Sequence, residues 1–159
     1  MSRTGAFETA NNGAIKMNGR KRSYHVAAYL YPAYHHEPLL AHFWPENDGE
    51  WYTVRRATPR FPGHDMPRIP LLGTQDESDP AVQREHIELA LEHGINVFIV
   101  DWYWYRNAPC LERQLNEGLL PALEGTDMRF FLMWANHDAS TLWDMHTDER
   151  EILWSGQVH

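Results

Sequence analysis

Three short runs along the chain are apolar on both alternating faces, and longer mixed stretches separate them. The first is Tyr24-His25-Val26-Ala27-Ala28-Tyr29-Leu30-Tyr31, which Pro32 stops. The second begins at Asn96 and runs to about Asp101, and the third runs from Arg129 to about Trp134. Runs of this kind predict buried parallel strands. Between the first two, Asp79 and Pro80 form an N-cap and first-turn pair. They predict a helix through Val82, Ile87, Ala90 and Leu91, ended by Gly94. Between the second and third, Leu111 to Leu123 reads as a helix with Leu111, Leu115, Leu119 and Leu120 on one face, and Gly118 and Pro121 weaken its C-terminal half. A further helix is expected to begin at Asp148-Glu149-Arg150-Glu151. Strand, helix, strand, helix, strand predicts an α/β fold, a parallel sheet covered by helices through right-handed crossovers. Three strands cannot close a barrel, and a complete eight-stranded one takes roughly 250 residues. The expectation is therefore the N-terminal part of a (β/α)8 TIM-type barrel, incomplete in this chain. An open three-layer α/β sheet is the alternative.

Outside these runs the pattern changes. Residues 1–22 are polar, rich in Gly and Asn, and end in Arg20-Lys21-Arg22. They read as a disordered leader ahead of one β/α domain, residues 23–159. Ala33 to about Ser78 is a long irregular stretch with six prolines. It carries His35, His36, His42, Trp44, Glu46, Trp51 and His64. Loops this long inside a domain are usually functional.

Composition narrows the function classes. The chain is 43% hydrophobic and 23% charged, which suits a globular domain. A net charge of −8 argues against nucleic acid as a partner. No apolar stretch approaches the ~20 residues of a membrane span, and the first residues hold no secretory apolar region. The lone Cys110 forbids an intrachain disulfide and fits a reducing, cytoplasmic compartment.

The candidate chemistry gathers at strand ends. Asp101, Trp102, Tyr103 and Trp104 close the second strand, and Trp134, Asn136, His137 and Asp138 close the third. Polar groups at the C-terminal ends of barrel strands face the active site. Asp101 could serve as acid, base or hydroxyl acceptor; the alternative is a structural carboxylate that caps a loop or pairs with Arg106. Trp102 and Trp104 share one strand face and offer indoles on which a pyranose can pack. Asn136, His137 and Asp138 supply donors and acceptors suited to a polyhydroxylated ligand, or else a hydrogen-bonded turn. Tyr31 and Tyr34 leave the first strand as one wall of a cleft. The candidate catalytic groups are thus Asp101, His137 and Asp138. The candidate binding groups are Tyr31, Tyr34, Trp102, Trp104, Trp134 and Asn136. His35 and His36 are adjacent but lack any metal-ligand spacing such as HExxH, so no metal and no cofactor is expected.

Five motifs occur in order: Tyr29-Leu30-Tyr31-Pro32-Ala33-Tyr34, Arg60-Phe61-Pro62-Gly63-His64, Val100-Asp101-Trp102-Tyr103-Trp104, Cys110 to Gly118, and Leu132-Met133-Trp134-Ala135-Asn136-His137-Asp138. Together they resemble the WbsX-type proteins, described as carrying a glycoside hydrolase family 99-like domain. The resemblance spans about Tyr24 to Trp143. It implies a (β/α)8 barrel acting on glycans, with a carbohydrate substrate and no metal. True family 99 enzymes are endo-acting α-mannosidases and mannanases that retain anomeric configuration. Their catalytic carboxylates map onto no position in this chain.

Three functions remain open: a hydrolase-like glycan-active domain, a glycosyltransferase of surface polysaccharide assembly, and a non-catalytic carbohydrate-binding fragment. Neither a Gly-rich phosphate loop nor a DxD motif is present, which disfavours a conventional nucleotide-sugar enzyme. An incomplete barrel is also expected to expose apolar surface through which copies could self-associate.

Overall fold

The computed structural model describes residues 14–17, 20–144, 146–147 and 149–156. Within the segment read as a leader, β1 (Ala14–Met17) pairs antiparallel with β2 (Arg20–Ser23), and residues 1–13, 18 and 19 lie outside the described residues. The central sheet is parallel. Strand β3 (Ala27–Leu30) pairs with β4 (Val97–Tyr105), with Ala27 opposite Val97 and Leu30 opposite Val100. On its other side β4 pairs with β6 (Arg129–Trp134), from Val97 opposite Arg129 to Trp102 opposite Trp134. These three strands are parallel, as the alternating elements predicted, and their spatial order follows chain order.

Both crossovers pack on one face. Helix α2 (Pro80–Glu92) starts where the sequence placed it, with the Asp79 carboxylate accepting the Ala81 N–H at 2.8 Å. It ends at His93, and Gly94 takes φ +84° to turn the chain into β4. Ile87 of α2, together with Leu115, Leu119 and Ala122 of the second crossover, packs on Phe98 and Val100 of β4.

The second crossover departs from the expected Leu111–Leu123 helix. Leu111 adopts φ +61°, and its N–H is taken by the buried Glu37 carboxylate at 2.7 Å. A π-helical stretch, Gln114–Leu119, then runs into a short α3 (Leu120–Ala122). Gly118 explains the close fit: a Cβ there would lie 2.3 Å from the Glu77 carbonyl oxygen. Pro121, lacking an N–H, cannot close the α-helical bond to Glu117.

Strand β4 also runs past Asp101. It folds back as a hairpin onto β5 (Ala108–Cys110), pairing Tyr103 with Cys110 and Tyr105 with Ala108. The two turn residues, Arg106 and Asn107, have φ of 51° and 61°, the backbone sign of a type I′ turn. The helix expected at 148–151 is not seen among the described residues: Asp148 lies outside them, and 149–151 are non-helical and lead into β8 (Ile152–Trp154). That strand pairs antiparallel with β7 (Ala139–Ser140). Thr141 explains the difference. Its Oγ1 donates to the Glu149 carbonyl at 2.6 Å and accepts the Glu151 N–H at 3.0 Å, capturing the groups a first helical turn would use.

Strand alternation divides the core. Phe98 and Val100 face the helices, whereas Tyr103 and Tyr105 belong to a second cluster built by the long loop. That cluster contains Leu40, Phe43 and Trp44, and Tyr52 from α1 (Trp51–Arg55). The first part of the loop, from Ala33 to Tyr52, is therefore irregular but packed, and it covers the end of the sheet where the candidate residues emerge, whereas most of 58–76 is exposed.

Candidate functional site

Tyr31 follows β3 by one residue, so continuation of the register places it beside Asp101 of β4. Both lie on the strand face opposite the helices, together with Tyr103. The long loop adds Glu50. Its position depends on Gly49, which has φ +64° and passes so close to the first turn of the loop that a Cβ would meet the Ala33 carbonyl oxygen at 2.1 Å. The Glu50 N–H donates to that same carbonyl at 2.9 Å.

These residues form a connected polar cluster. The Tyr31 hydroxyl and the Glu50 carboxylate lie close enough to affect each other's protonation. Burial raises the proton affinity of Glu50, and the Tyr31 hydroxyl partly offsets this. Glu50 Oε2 is buried with no hydrogen-bond partner among the described residues. The Tyr31 ring meets Tyr34 edge-on at 6.5 Å, and Tyr34 lies 4.4 Å from Trp51. The Trp51 indole N–H donates to the Gln75 carbonyl at 2.7 Å, which fixes the ring.

Asp101 closes the other end. The Tyr103 hydroxyl reaches Asp101 Oδ2 at a long 3.5 Å, and Oδ1 is buried with no partner among the described residues. Burial raises the proton affinity of Asp101, against smaller opposing effects from the Tyr103 hydroxyl and His137. The alternative pairing with Arg106 does not occur, since Arg106 sits in the hairpin turn and forms no ion pair among the described residues. The exposed His137 ring stands edge-on to Tyr103 at 5.7 Å. Its Nδ1 lies 2.9 Å from the Asp138 carbonyl oxygen, which can only accept. Nδ1 therefore carries a proton, and in the neutral ring Nε2 is the basic nitrogen.

Behind Tyr34 lies Glu77, which is 8% exposed. Its N–H donates to the Tyr34 carbonyl at 3.0 Å. Burial, reinforced by Asp76, pushes the Glu77 carboxyl up to about 7 despite the opposing effect of the Tyr34 backbone. The Gln83 amide, joined to Gln114 at 3.2 Å, holds the Glu77 carbonyl at 3.0 Å.

The remaining sequence-predicted residues go elsewhere. Trp102 and Trp104 lie on the helix side of β4, with ring centroids 5.6 Å apart, and Trp102 packs on the helix-side core. Trp134 stands beside Trp102 in register. The tryptophans and Asp101 thus occupy opposite faces, and a common rim holding Asp101, Trp104 and His137 is not formed. Asp138 Oδ1 accepts the Gly156 N–H at 2.8 Å, and Asn136 lies against Gly156. Both serve the turn that was the alternative for them. Glu50 and Glu77 join the cluster from positions that the sequence reading did not mark, whereas Tyr103 is among the residues closing the second strand and Trp51 among those of the long loop. An Asp48-Gly49-Glu50 turn amid loop aromatics was the available signal for Glu50. Among the described residues no group of three His, Cys, Asp or Glu side chains converges as metal ligands.

The family model described as Glycosyltransferase WbsX matches residues 25–158. The chain belongs to the WbsX family. Two curated relatives, each named "Uncharacterized protein WxcX", come from Xanthomonas campestris pv. campestris strains B100 and ATCC 33913. Each is 36% identical over 120 residues, covering 75% of this chain. The matched part is 17% of the relatives' own length. No solved structure matches. The WbsX match spans every element of the cluster, from Tyr31 to His137. Among the described residues no helix is long and apolar enough to cross a membrane.

Proposed function

We propose that this WbsX domain acts on a glycosidic bond held against the face bearing Asp101, Glu50 and His137, with Tyr31, Tyr34 and Trp51 as its saccharide-contacting wall. The observation that carries this is the placing of two incompletely hydrogen-bonded carboxylates, Glu50 and Asp101, in one tyrosine cluster at the C-terminal end of a parallel sheet. Glycoside cleavage uses one carboxyl as proton donor and a second as base or nucleophile. Glu50, more deeply buried, is the donor in this scheme. Asp101, beside the Tyr103 hydroxyl and His137, is the base or nucleophile.

The three strands are proposed to belong to a (β/α)8 barrel. Both crossovers cover the same face, whereas a doubly wound sheet would have helices on both. The opposite face carries the registered row Tyr29, Ile99 and Phe131, with Tyr29 70% and Phe131 52% exposed. Such a row suits a barrel interior awaiting further strands.

Release of reducing ends from mannans and bacterial polysaccharides tests the proposal. Turnover is expected, with Glu50→Gln and Asp101→Asn each lowering it by about 100-fold or more. Undiminished turnover by either variant would overturn the role given to that residue. The family description favours one second reading, transfer of a sugar onto a growing polymer. Product formed only with an activated sugar donor would select it.

A further inference from the structure

A cavity of about 640 Å³ opens where the end of α1 and the following residues to Arg60 meet the connection between β7 and β8. None of its lining residues belongs to the Asp101 cluster. Its volume lies in the range of small-ligand sites. Three guanidinium side chains line it: Arg56, Arg60 and Arg150. Arg56 is committed, because it pairs with Glu46, donates to the Tyr52 carbonyl at 3.3 Å and lies 3.8 Å over the Tyr52 ring. Arg60 and Arg150 form no ion pair and no side-chain hydrogen bond among the described residues. The backbone of Arg60 is nevertheless fixed: its N–H donates to His64 Nδ1 at 3.2 Å, and Phe61 stacks on the His64 ring at 4.6 Å. Two carboxylates share the lining. Asp144 Oδ1 accepts the His146 N–H at 2.8 Å, and Glu149 forms no ion pair. The Thr53 and Thr58 hydroxyls complete the polar wall.

We propose that this cavity binds an acidic sugar residue, a hexuronate, through Arg60 and Arg150. A small inorganic anion would give the two guanidinium groups an acceptor, but it is too short to present hydroxyls to Asp144 and Glu149 at the same time. A neutral sugar would satisfy those carboxylates but offer the two guanidinium groups only hydroxyl acceptors, without the paired oxygens that their planar donors match. A pyranose bearing a carboxylate answers both: planar guanidinium donors take the carboxylate, and ring hydroxyls donate to the acidic side chains. The choice of a saccharide among hydroxylated carboxylates rests on the function proposed above.

Titration of the chain with glucuronate, glucose, acetate and inorganic phosphate at low salt tests this, with affinity and the arginine side-chain NMR signals as readouts. Glucuronate is expected to bind at least about tenfold more tightly than each of the others. Arg60→Met and Arg150→Met should each weaken it by about tenfold, while Arg106→Met, in the hairpin turn, leaves it unchanged. Glucose or phosphate binding as tightly as glucuronate would overturn the proposal, as would a glucuronate affinity insensitive to both cavity variants. The His137 signals separate the two sites. If neutral oligosaccharides move His137 while glucuronate leaves Arg60 still, the cavity proposal fails and the Asp101 site stands. The reverse pattern keeps the cavity and removes the Asp101 site.

Discussion

Burial without a cationic partner sets the chemistry of Glu50, Glu77 and Asp101, and each consequence can be measured. For Glu77 the folded carboxyl titrates near 7 against 4.5 for the free group. The folded state therefore binds more protons than the unfolded state between those values, so stability falls as pH rises. The contribution is fully present below about pH 4.5 and is lost by about pH 7. It amounts to about 3 kcal/mol. Denaturant titrations from pH 4 to 8 should show this decline, and Glu77→Gln should flatten it; an unchanged slope would contradict the assignment. Gly49 is the second sensitive residue. Gly49→Ala meets both a left-handed φ and the Ala33 carbonyl, so a loss of about 2 kcal/mol or more is expected. A loss below about 0.5 kcal/mol would show that the loop accommodates the methyl group. In activity assays the alkaline limb is expected to follow Glu50, set above the usual carboxylate range by its burial. Glu50→Gln should remove that limb from the residual turnover.

The elements show what the chain makes legible and what it hides. Strand β6 and the start of α2 were legible because their signals are local: a continuous apolar run, and an Asp-Pro pair that caps a helix and begins it. The β4–β5 hairpin was hidden because Arg106-Asn107 is an unusual pair for a turn with two positive φ values. Replacing it with Asn-Gly is expected to raise stability by a few tenths of a kcal/mol to about 1 kcal/mol, read from thermal unfolding. A destabilised variant would show that the Arg106 and Asn107 side chains contribute more than their backbone conformation. The π-helical stretch and the β7–β8 pair were hidden for a different reason. Each is decided by partners distant in sequence or outside its own periodicity: Glu37 on the Leu111 N–H, and Thr141 on residues 149–151. The candidate site was half legible. Asp101 and His137 could be found from their strand ends, but Glu50 and Glu77 needed the packing of Gly49 and Gly118 against carbonyls elsewhere in the fold.

At the scale of the whole molecule, one sheet face is covered by helices and the other carries Tyr29 and Phe131 largely uncovered on either side of the half-buried Ile99. Covering each would contribute about 2 kcal/mol. Sedimentation of the chain is expected to show self-association that Phe131→Ser reduces; identical behaviour of both proteins would mean that this face does not mediate contact between copies. The same division of faces separates the Asp101 cluster from the tryptophan row of Trp102, Trp104 and Trp134. A ligand must choose one side. An NMR titration with manno-oligosaccharides and bacterial-polysaccharide fragments, following the indole N–H and His137 ring signals, reports that choice directly. The expected result is movement of Trp51 and His137 with Trp102 and Trp104 unchanged; movement of Trp102 and Trp104 with Trp51 and His137 still would contradict it.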